Sequence, residues 1–357
     1  MDEIWILGAT GRIGRAVAAR LVELHRSVVL VGRDEPRLRA LARELGDAPS
    51  VLTEESLEGV ARRIAERAPA VVVNTVGPFG TTGPLIADSC PAGTHYVDLA
   101  NELPAVTGML DRHDAAAMSG HCVVTGAGFG VLGTESAILQ ARADRSAPVR
   151  VRVDALAEYR GGGTVGAVLA ETMVDVFAGG GFSYRSGRLT PARLGGGAEQ
   201  LTLPDGRTAT TAAAPSGELV AAQRGSGAPE VVAASKEIPA GRMASLALPI
   251  VGALLRVPPL RRAAVRLLAG IEVKDSLGSR EPTTWARARA TWADGSDRVV
   301  WLRADDGMDF TAAVAAEVAD RLVRGAGRPG AYTPGALFGP DLAEAAGGTF
   351  LVEDRVD

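Results

Sequence analysis

The chain has 357 residues, enough for two domains of roughly 100–200 residues each. Hydrophobic residues make up 46% and charged residues 22%, the profile of a globular protein with sizeable cores. The formal net charge of −4 argues against a nucleic-acid partner, which calls for a basic excess.

Residues 1–130 alternate strand-like and helix-like patterns. Ile4 to Leu7 is an apolar run, followed by a glycine turn and a helix over about 13–24. Val28 to Val31 is the next apolar run, and helices are predicted over 36–45 and 55–67. Ala70 to Val76 is apolar and rich in valine; a short helix over 84–89 leads to Tyr96-Val97-Asp98-Leu99. A helix over 102–118 then leads to Cys122-Val123-Val124-Thr125. Apolar strands between amphipathic helices predict an α/β fold, a doubly wound parallel Rossmann sheet covered on both faces.

The pattern changes beyond Leu132. Residues 149–159 alternate, 164–178 read as a helix, and 284–293 with 297–304 form a hairpin around Asp294-Gly295. Residues 131–308 are therefore expected to form an inserted α+β domain on a mainly antiparallel sheet. Residues 309–357, with helices over 309–324 and 335–346 and a strand at 349–352, are expected to pack back on the first domain.

The two cysteines, Cys90 and Cys122, fit a reducing compartment. The four histidines lack partners at metal-ligand spacing; His25 and His113 read as helix-surface residues, while His95 and His121 open strands. No run approaches the ~20 apolar residues of a membrane span, and Met1-Asp2-Glu3 is unlike a signal peptide. The expectation is a cytoplasmic protein without metal, nucleic acid or transmembrane segment.

The central motif is Gly8-Ala9-Thr10-Gly11-Arg12-Ile13-Gly14, with glycines at the spacing G-x-x-G-x-x-G. It follows a strand and opens a helix. That context lets glycines make a tight turn, admit a pyrophosphate to the backbone and pack helix on strand. The helix start presents unpaired N–H groups to the phosphates. The second strand ends Gly32-Arg33-Asp34. Arg33 suits the 2′-phosphate of NADPH, with Arg37 as a second contact. Asp34 either holds a ribose, as in NAD sites, or caps the next helix with Pro36 in its first turn. Val76, Gly77, Pro78 and Phe79 leave the fourth strand at the carboxyl edge, where such sheets bind ligands; a plain turn is the alternative.

GATGRIG at 8–14, VGRD at 31–34, NTVGPFGTTG at 74–83, HYVDLANE at 95–102 and TGAGFGVLGTE at 125–135 together resemble the saccharopine dehydrogenase-like oxidoreductases. These include the trans-acting enoyl reductases of actinobacterial lipid and polyketide pathways. Weaker matches run through 161–171, 217–231 and 333–354. The resemblance implies a Rossmann domain, an inserted substrate domain, a C-terminal return, and hydride transfer to a C=C or C=N bond in a biosynthetic pathway. It also implies cofactor-facing roles for Gly8, Gly11, Gly14, Arg33, Gly77, Pro78 and Phe79. TGAGFGVLGTE lacks the proline and aspartate that often follow that loop in the family. Residues 182–275 diverge most, so no substrate is carried over.

Composition limits the chemistry. Lys236 and Lys274 are the only lysines, which leaves none for the Rossmann core. Asp98, Asn101 and Glu102 cluster at the end of the fifth strand. Asp98 is a candidate for ribose or substrate and Glu102 for protonation, whereas Asn101 and Glu102 also suit a helix start. Phe129 is either a nicotinamide wall or a core residue. Tyr159 is the favoured proton donor, an ordinary strand tyrosine the alternative. Gly161 to Thr164 either hold an anionic group or form a loop. The apolar helix at 246–255, with the arginines that follow, admits four readings: a buried helix, the face of a homodimer, a surface resting on a membrane, or a cover over an acyl pocket. The reading is an NADPH-dependent reductase of a small or acyl-type substrate. A non-catalytic NADP-binding partner protein and an oxidative amino-acid dehydrogenase are its rivals.

Overall fold

The computed structural model describes residues 2–160, 166–272 and 280–355. It divides into two compact units. The first comprises Met1–Ala100, Pro104–Leu132 and Met308–Gly347; the second comprises Asn101–Leu103, Gly133–Gly307 and Gly348–Asp357.

The chain begins with β1 (Glu3–Leu7), α1 (Arg12–Glu23), β2 (Ser27–Gly32), α2 (Glu35–Glu44), β3 (Ser50–Thr53) and α3 (Leu57–Arg67). It continues with β4 (Val71–Asn74), α4 (Phe79–Ser89), β5 (His95–Asp98), α5 (Leu103–Leu110), α6 (His113–Met118) and β6 (Cys122–Val124). Ile4, Trp5, Ile6 and Val71 to Val73 are fully buried, as strands covered on both faces must be. Ser56 caps α3 by accepting from the Gly59 N–H at 3.0 Å, worth ~1 kcal/mol.

Some boundaries depart from the sequence pattern. β3 matches no apolar run, because it is a four-residue edge strand with no fully buried position. α4 starts at Phe79 rather than Pro84, so the proline sits inside the helix. The carbonyl it cannot satisfy is that of Gly80, which is exposed to water. The predicted helix over 102–118 is two, broken where Arg112 reaches Asp88 through Nε and Nη2.

α7 (Phe129–Arg142) is followed by β7 (Arg150–Leu156), α8 (Ala167–Gly179), β8 (Gly181–Arg185), β9 (Arg188–Ala192), β10 (Glu199–Thr202) and β11 (Thr208–Ala213). Next come α9 (Gly217–Ser226), β12 (Glu230–Ser235), α10 (Arg242–Leu255), α11 (Pro258–Ala269), β13 (Thr284–Thr291) and β14 (Asp297–Ala304). The hairpin at Asp294-Gly295 forms, with Gly295 at φ +86°. The second sheet is mainly antiparallel, as expected, with one parallel pair, β12 with β7, while β13 pairs antiparallel on the other side of β7. At its centre Asp154 is fully buried. It accepts from Arg152 Nε (2.9 Å), Arg287 Nη1 (2.9 Å) and Thr211 Oγ1 (2.7 Å), which ties β7, β13 and β11 together. Trp285 and Trp301 meet edge to face, ring centroids 6.0 Å apart.

The chain ends with α12 (Gly307–Val323), β15 (Gly330–Tyr332), α13 (Pro334–Phe338), α14 (Asp341–Ala345) and β16 (Thr349–Arg355). β15 pairs parallel with β6, completing the order β15-β6-β5-β4-β1-β2-β3 in the first unit. This is the doubly wound arrangement with one added strand. The final strand does not join that sheet. β16 pairs antiparallel with β14, setting Phe350, Leu351 and Val352 opposite Leu302, Trp301 and Val300, and so covers the β14 edge. His113 is not a surface histidine: its ring lies edge-on to Tyr332, and Nδ1 accepts from the Ala331 N–H at 3.2 Å.

His95 is buried deeply enough to hold its imidazole below the usual histidine value, and neighbouring His121 acts in the same direction. Its Nδ1 accepts from the Cys122 N–H at 3.0 Å, a bond the protonated ring cannot make. The unfolded chain therefore takes up the proton first, and stability declines as pH falls below about 6.5. Calorimetric Tm should fall over that range, and His95→Asn, which keeps an acceptor without a titrating ring, should flatten the slope. An unchanged slope in the variant removes His95 as its source.

Candidate functional site

The turn after β1 is built by backbone proximity. Gly8 adopts φ +76°, and its N–H donates to the Val31 carbonyl at 3.1 Å. A Cβ there would lie 2.8 Å from Thr75 Oγ1. Gly11 is the N-cap of α1. A Cβ on Gly14 would lie 2.4 Å from the Gly8 carbonyl oxygen and 2.9 Å from Ala9 Cα, so helix and turn touch backbone to backbone. Thr10, Gly11 and Arg12 are exposed, Ile13 is half-buried and Gly14 is buried. The first-turn N–H groups of a helix have no intrahelical acceptor, and here they open beside exposed residues at the carboxyl edge of the sheet. β1 pairs with β2 on one side and β4 on the other, so this edge lies at the topological switch point.

At the end of β2 the choice for Asp34 is the cap. Its Oδ1 accepts from the Arg37 N–H at 3.0 Å, and Pro36 sits in the first turn of α2. The Arg37 side chain lies 3.8 Å from the same carboxylate, with both groups exposed. Arg33 is exposed at the strand end, with no ion pair to it among the described residues.

The exit from β4 is fastened by buried Asn74. Its Oδ1 accepts from the Val76 N–H at 3.0 Å, while Nδ2 donates to Thr82 Oγ1 and Tyr96 Oη, each at 3.1 Å. Thr82 donates in turn to the Val76 carbonyl at 2.6 Å. Val76, Gly77 and Pro78 are half-buried, the Gly77-Pro78 peptide is cis, and the Phe79 side chain is buried.

Asp98 is fully buried. Its Oδ1 accepts from the Ala100 N–H (3.0 Å), Thr125 Oγ1 (2.8 Å) and the Gly126 N–H (3.1 Å). Burial pushes the carboxyl up against the pull of these donors. Asp98 thus shapes the loops after β5 and β6. Phe129 is a core residue, its ring edge-on to Phe310 at 6.2 Å.

In the second unit Tyr159 is half-buried at the end of β7, against Gly307, whose added Cβ would lie 2.9 Å from the ring. Burial, then the charges of Glu237, Asp306 and Glu218, push its hydroxyl well above the usual phenol value. Glu102 accepts from Thr172 Oγ1 at 2.6 Å and from the Asn101 N–H at 3.1 Å. Asn101 Nδ2 donates to Glu218 Oε1 at 3.3 Å. Glu218 is buried, which raises its carboxyl. Arg160 pairs with Glu281, and its N–H donates to Asp306. Gly161 to Thr164 lie outside the described residues.

Comparison places this architecture. Yeast (Saccharomyces cerevisiae) saccharopine dehydrogenase (L-Glu forming), in its apo form, superposes with TM-score 0.63, covering 100% of both chains at 11% identity. The chain has a saccharopine dehydrogenase-like fold. Sequence relatives include the trans-acting enoyl reductases of Mycobacterium ulcerans (strain Agy99) and Mycobacterium tuberculosis (strain ATCC 25618 / H37Rv). Each is 36% identical over 135 residues, which is 36% of this chain and 32% of the relative. The match therefore spans about a third of the length of those relatives. No family model matches.

The residues that the sequence pattern does not reveal are the fasteners. Asn74 and Tyr96 lie in apolar strands, and only the polarity of an asparagine there hints at a role. Glu218 has the Ser216 N-cap before it and sits in the first turn of α9, where an acidic residue is ordinary, so its burial is hidden. The turn itself is testable. Gly14→Ala should cost about 1–3 kcal/mol, because two backbones must part, whereas Gly11→Ala meets only the Gly8 carbonyl at 3.2 Å and should cost less. Urea unfolding midpoints check the order, and equal costs contradict the close approach.

Proposed function

We propose that this chain is an NADPH-dependent oxidoreductase delivering hydride to an activated C=C or C=N bond of a small or acyl-type metabolite. The observation that carries the reading is the start of α1, exposed at the switch point of a parallel sheet above glycines that leave no room for a Cβ. These residues fit a pyrophosphate. Thr10, Gly11, Arg12 and Ile13 would hold it, with Val76, Gly77 and Pro78 bordering the ribose and nicotinamide. The bound cofactor supplies the hydride.

Arg33 supports the phosphorylated cofactor. It is exposed at the end of β2, where a dinucleotide site reads the adenosine ribose. The neighbouring carboxylate, Asp34, is committed to the α2 cap, and Arg37 lies beside Asp34. A guanidinium at this position favours a 2′-phosphate over a bare hydroxyl.

Tyr159 is the candidate proton donor. Its raised value keeps the O–H intact across neutral pH, so the proton is present to be given to a developing enolate or amide anion. Glu102 accepts hydrogen bonds from Thr172 Oγ1 and the Asn101 N–H, which suits a positioning role. Asp98 positions loops rather than touching substrate. An amino-acid dehydrogenase would want a cation for the substrate carboxylate, and Arg160 is paired with Glu281 instead.

Fluorescence titration should give tighter binding of NADPH than of NADH. Arg33→Ala should weaken NADPH about 10- to 100-fold, the worth of a charge-assisted contact, and leave NADH unchanged. Equal loss for both cofactors rejects the 2′-phosphate role. Once a substrate is in hand, Tyr159→Phe should lower kcat at least about 100-fold with cofactor affinity intact. Wild-type turnover in that variant removes it as the acid. Tight NADPH binding with no oxidation by any enoyl thioester or imine favours a non-catalytic binder.

A further inference from the structure

The segment 242–271 holds five arginines and no carboxylate, in a chain whose net charge is −4. It forms α10 and α11, joined at Arg256 and Val257. One side of this helical pair is seated. Leu248 packs with Leu194, Ala212, Ala214 and Ile238, and a Cβ on Gly252 would lie 2.5 Å from the Phe177 carbonyl oxygen of α8. Arg261 pairs with Asp175 of α8 at 2.7 Å.

The other side is apolar and uncovered. On α10 the exposed residues Ala247, Ile250, Val251 and Leu254 recur at the spacing of one helical face, and Val257 continues it into the turn. On α11 Leu260, Ala263 and Leu267 do the same, and Ile271 follows. Ile250 is 65% and Leu267 74% exposed, values at which a large aliphatic side chain has little protein around it. Arg256, Arg262 and Arg266 are exposed beside these stripes. No described helix is long and apolar enough to cross a membrane.

We propose that α10 and α11 form a docking surface for an anionic lipid bilayer, lying in its interface with the aliphatic stripes among the acyl chains and the arginines at the headgroups. Charge decides between occupants. A twofold contact between copies sets the same patch against itself, bringing arginines together with no carboxylate on either helix to offset them. Lipid phosphates supply the opposite charge as a sheet, and an apolar face rimmed by cations is what binds there. The surface belongs to the second unit alone and is independent of the cofactor reading.

The test is co-sedimentation of the full chain with vesicles of phosphatidylcholine and with vesicles of phosphatidylcholine plus phosphatidylglycerol. The chain should pellet with the anionic vesicles, remain in solution with the neutral ones, and be released by salt. Arg262→Gln and Arg266→Gln should each lower the partition coefficient about fivefold. Ile250→Ser with Leu267→Ser should abolish binding without changing Tm or NADPH affinity. A chain that stays in solution with both vesicle types overturns the proposal, as does pelleting unaltered by the double substitution. A dimer by light scattering that the same double substitution splits assigns the face to a second copy and also overturns it.

Discussion

The contact between the Gly14 position of α1 and the Gly8 carbonyl is the constraint on which the first unit depends. It draws the helix down until its backbone meets the turn, and this aims the helix start over the sheet edge. A methyl group at this point would push the helix off its strand and tilt its amides away from the place a phosphate would occupy. The Gly8 position imposes the same economy on the other side, where Thr75 Oγ1 reaches the Leu7 carbonyl at 2.7 Å. Two neighbouring strands thus end in loops held close together, with the Thr75 and Val76 side chains filling the space a Cβ on Gly8 would need.

Behind that edge, a buried polar chain does the holding. Asn74, Thr82 and Tyr96 lie on adjacent strands and the helix after β4 and bond to one another and to the Val76 backbone, while Asp98 Oδ1 fastens the loops after β5 and β6. Such a network is costly if one member is lost and rigid when complete. It explains how glycine-rich loops, which have little packing of their own, keep a defined shape. The second unit uses the same device in another place, where Asp154 binds two arginines and a threonine from three strands.

How much of this was readable in the sequence follows from where the physics is local. The glycine turn, the β1 and β4 cores and the hairpin at Asp294-Gly295 are written in adjacent residues, and so is the Asp34-Pro36 cap. β15 is not, because Gly330-Ala331-Tyr332 has no pattern until it lies beside β6. The parallel pairing of β12 with β7 and the destination of β16 are likewise decided by partners far along the chain. Phe129 carried two readings in the sequence, and its burial against Phe310, a property of the packed molecule, makes it a core residue; the burial of Asp98 is likewise invisible from its position along the chain. Glu218 shows the reverse case, a carboxylate that looks ordinary by position and is unusual only by its surroundings.

The placement of β15 has a consequence for how the molecule is made. Its partner β6 emerges from the ribosome about two hundred residues earlier, and the whole second sheet except β16 is synthesised between them. Until β15 arrives, β6 is a bare edge of an otherwise assembled parallel sheet, open to pairing with another nascent chain. High contact order of this kind slows closure. The half-finished first unit is thus the stage at which a holding chaperone would matter most.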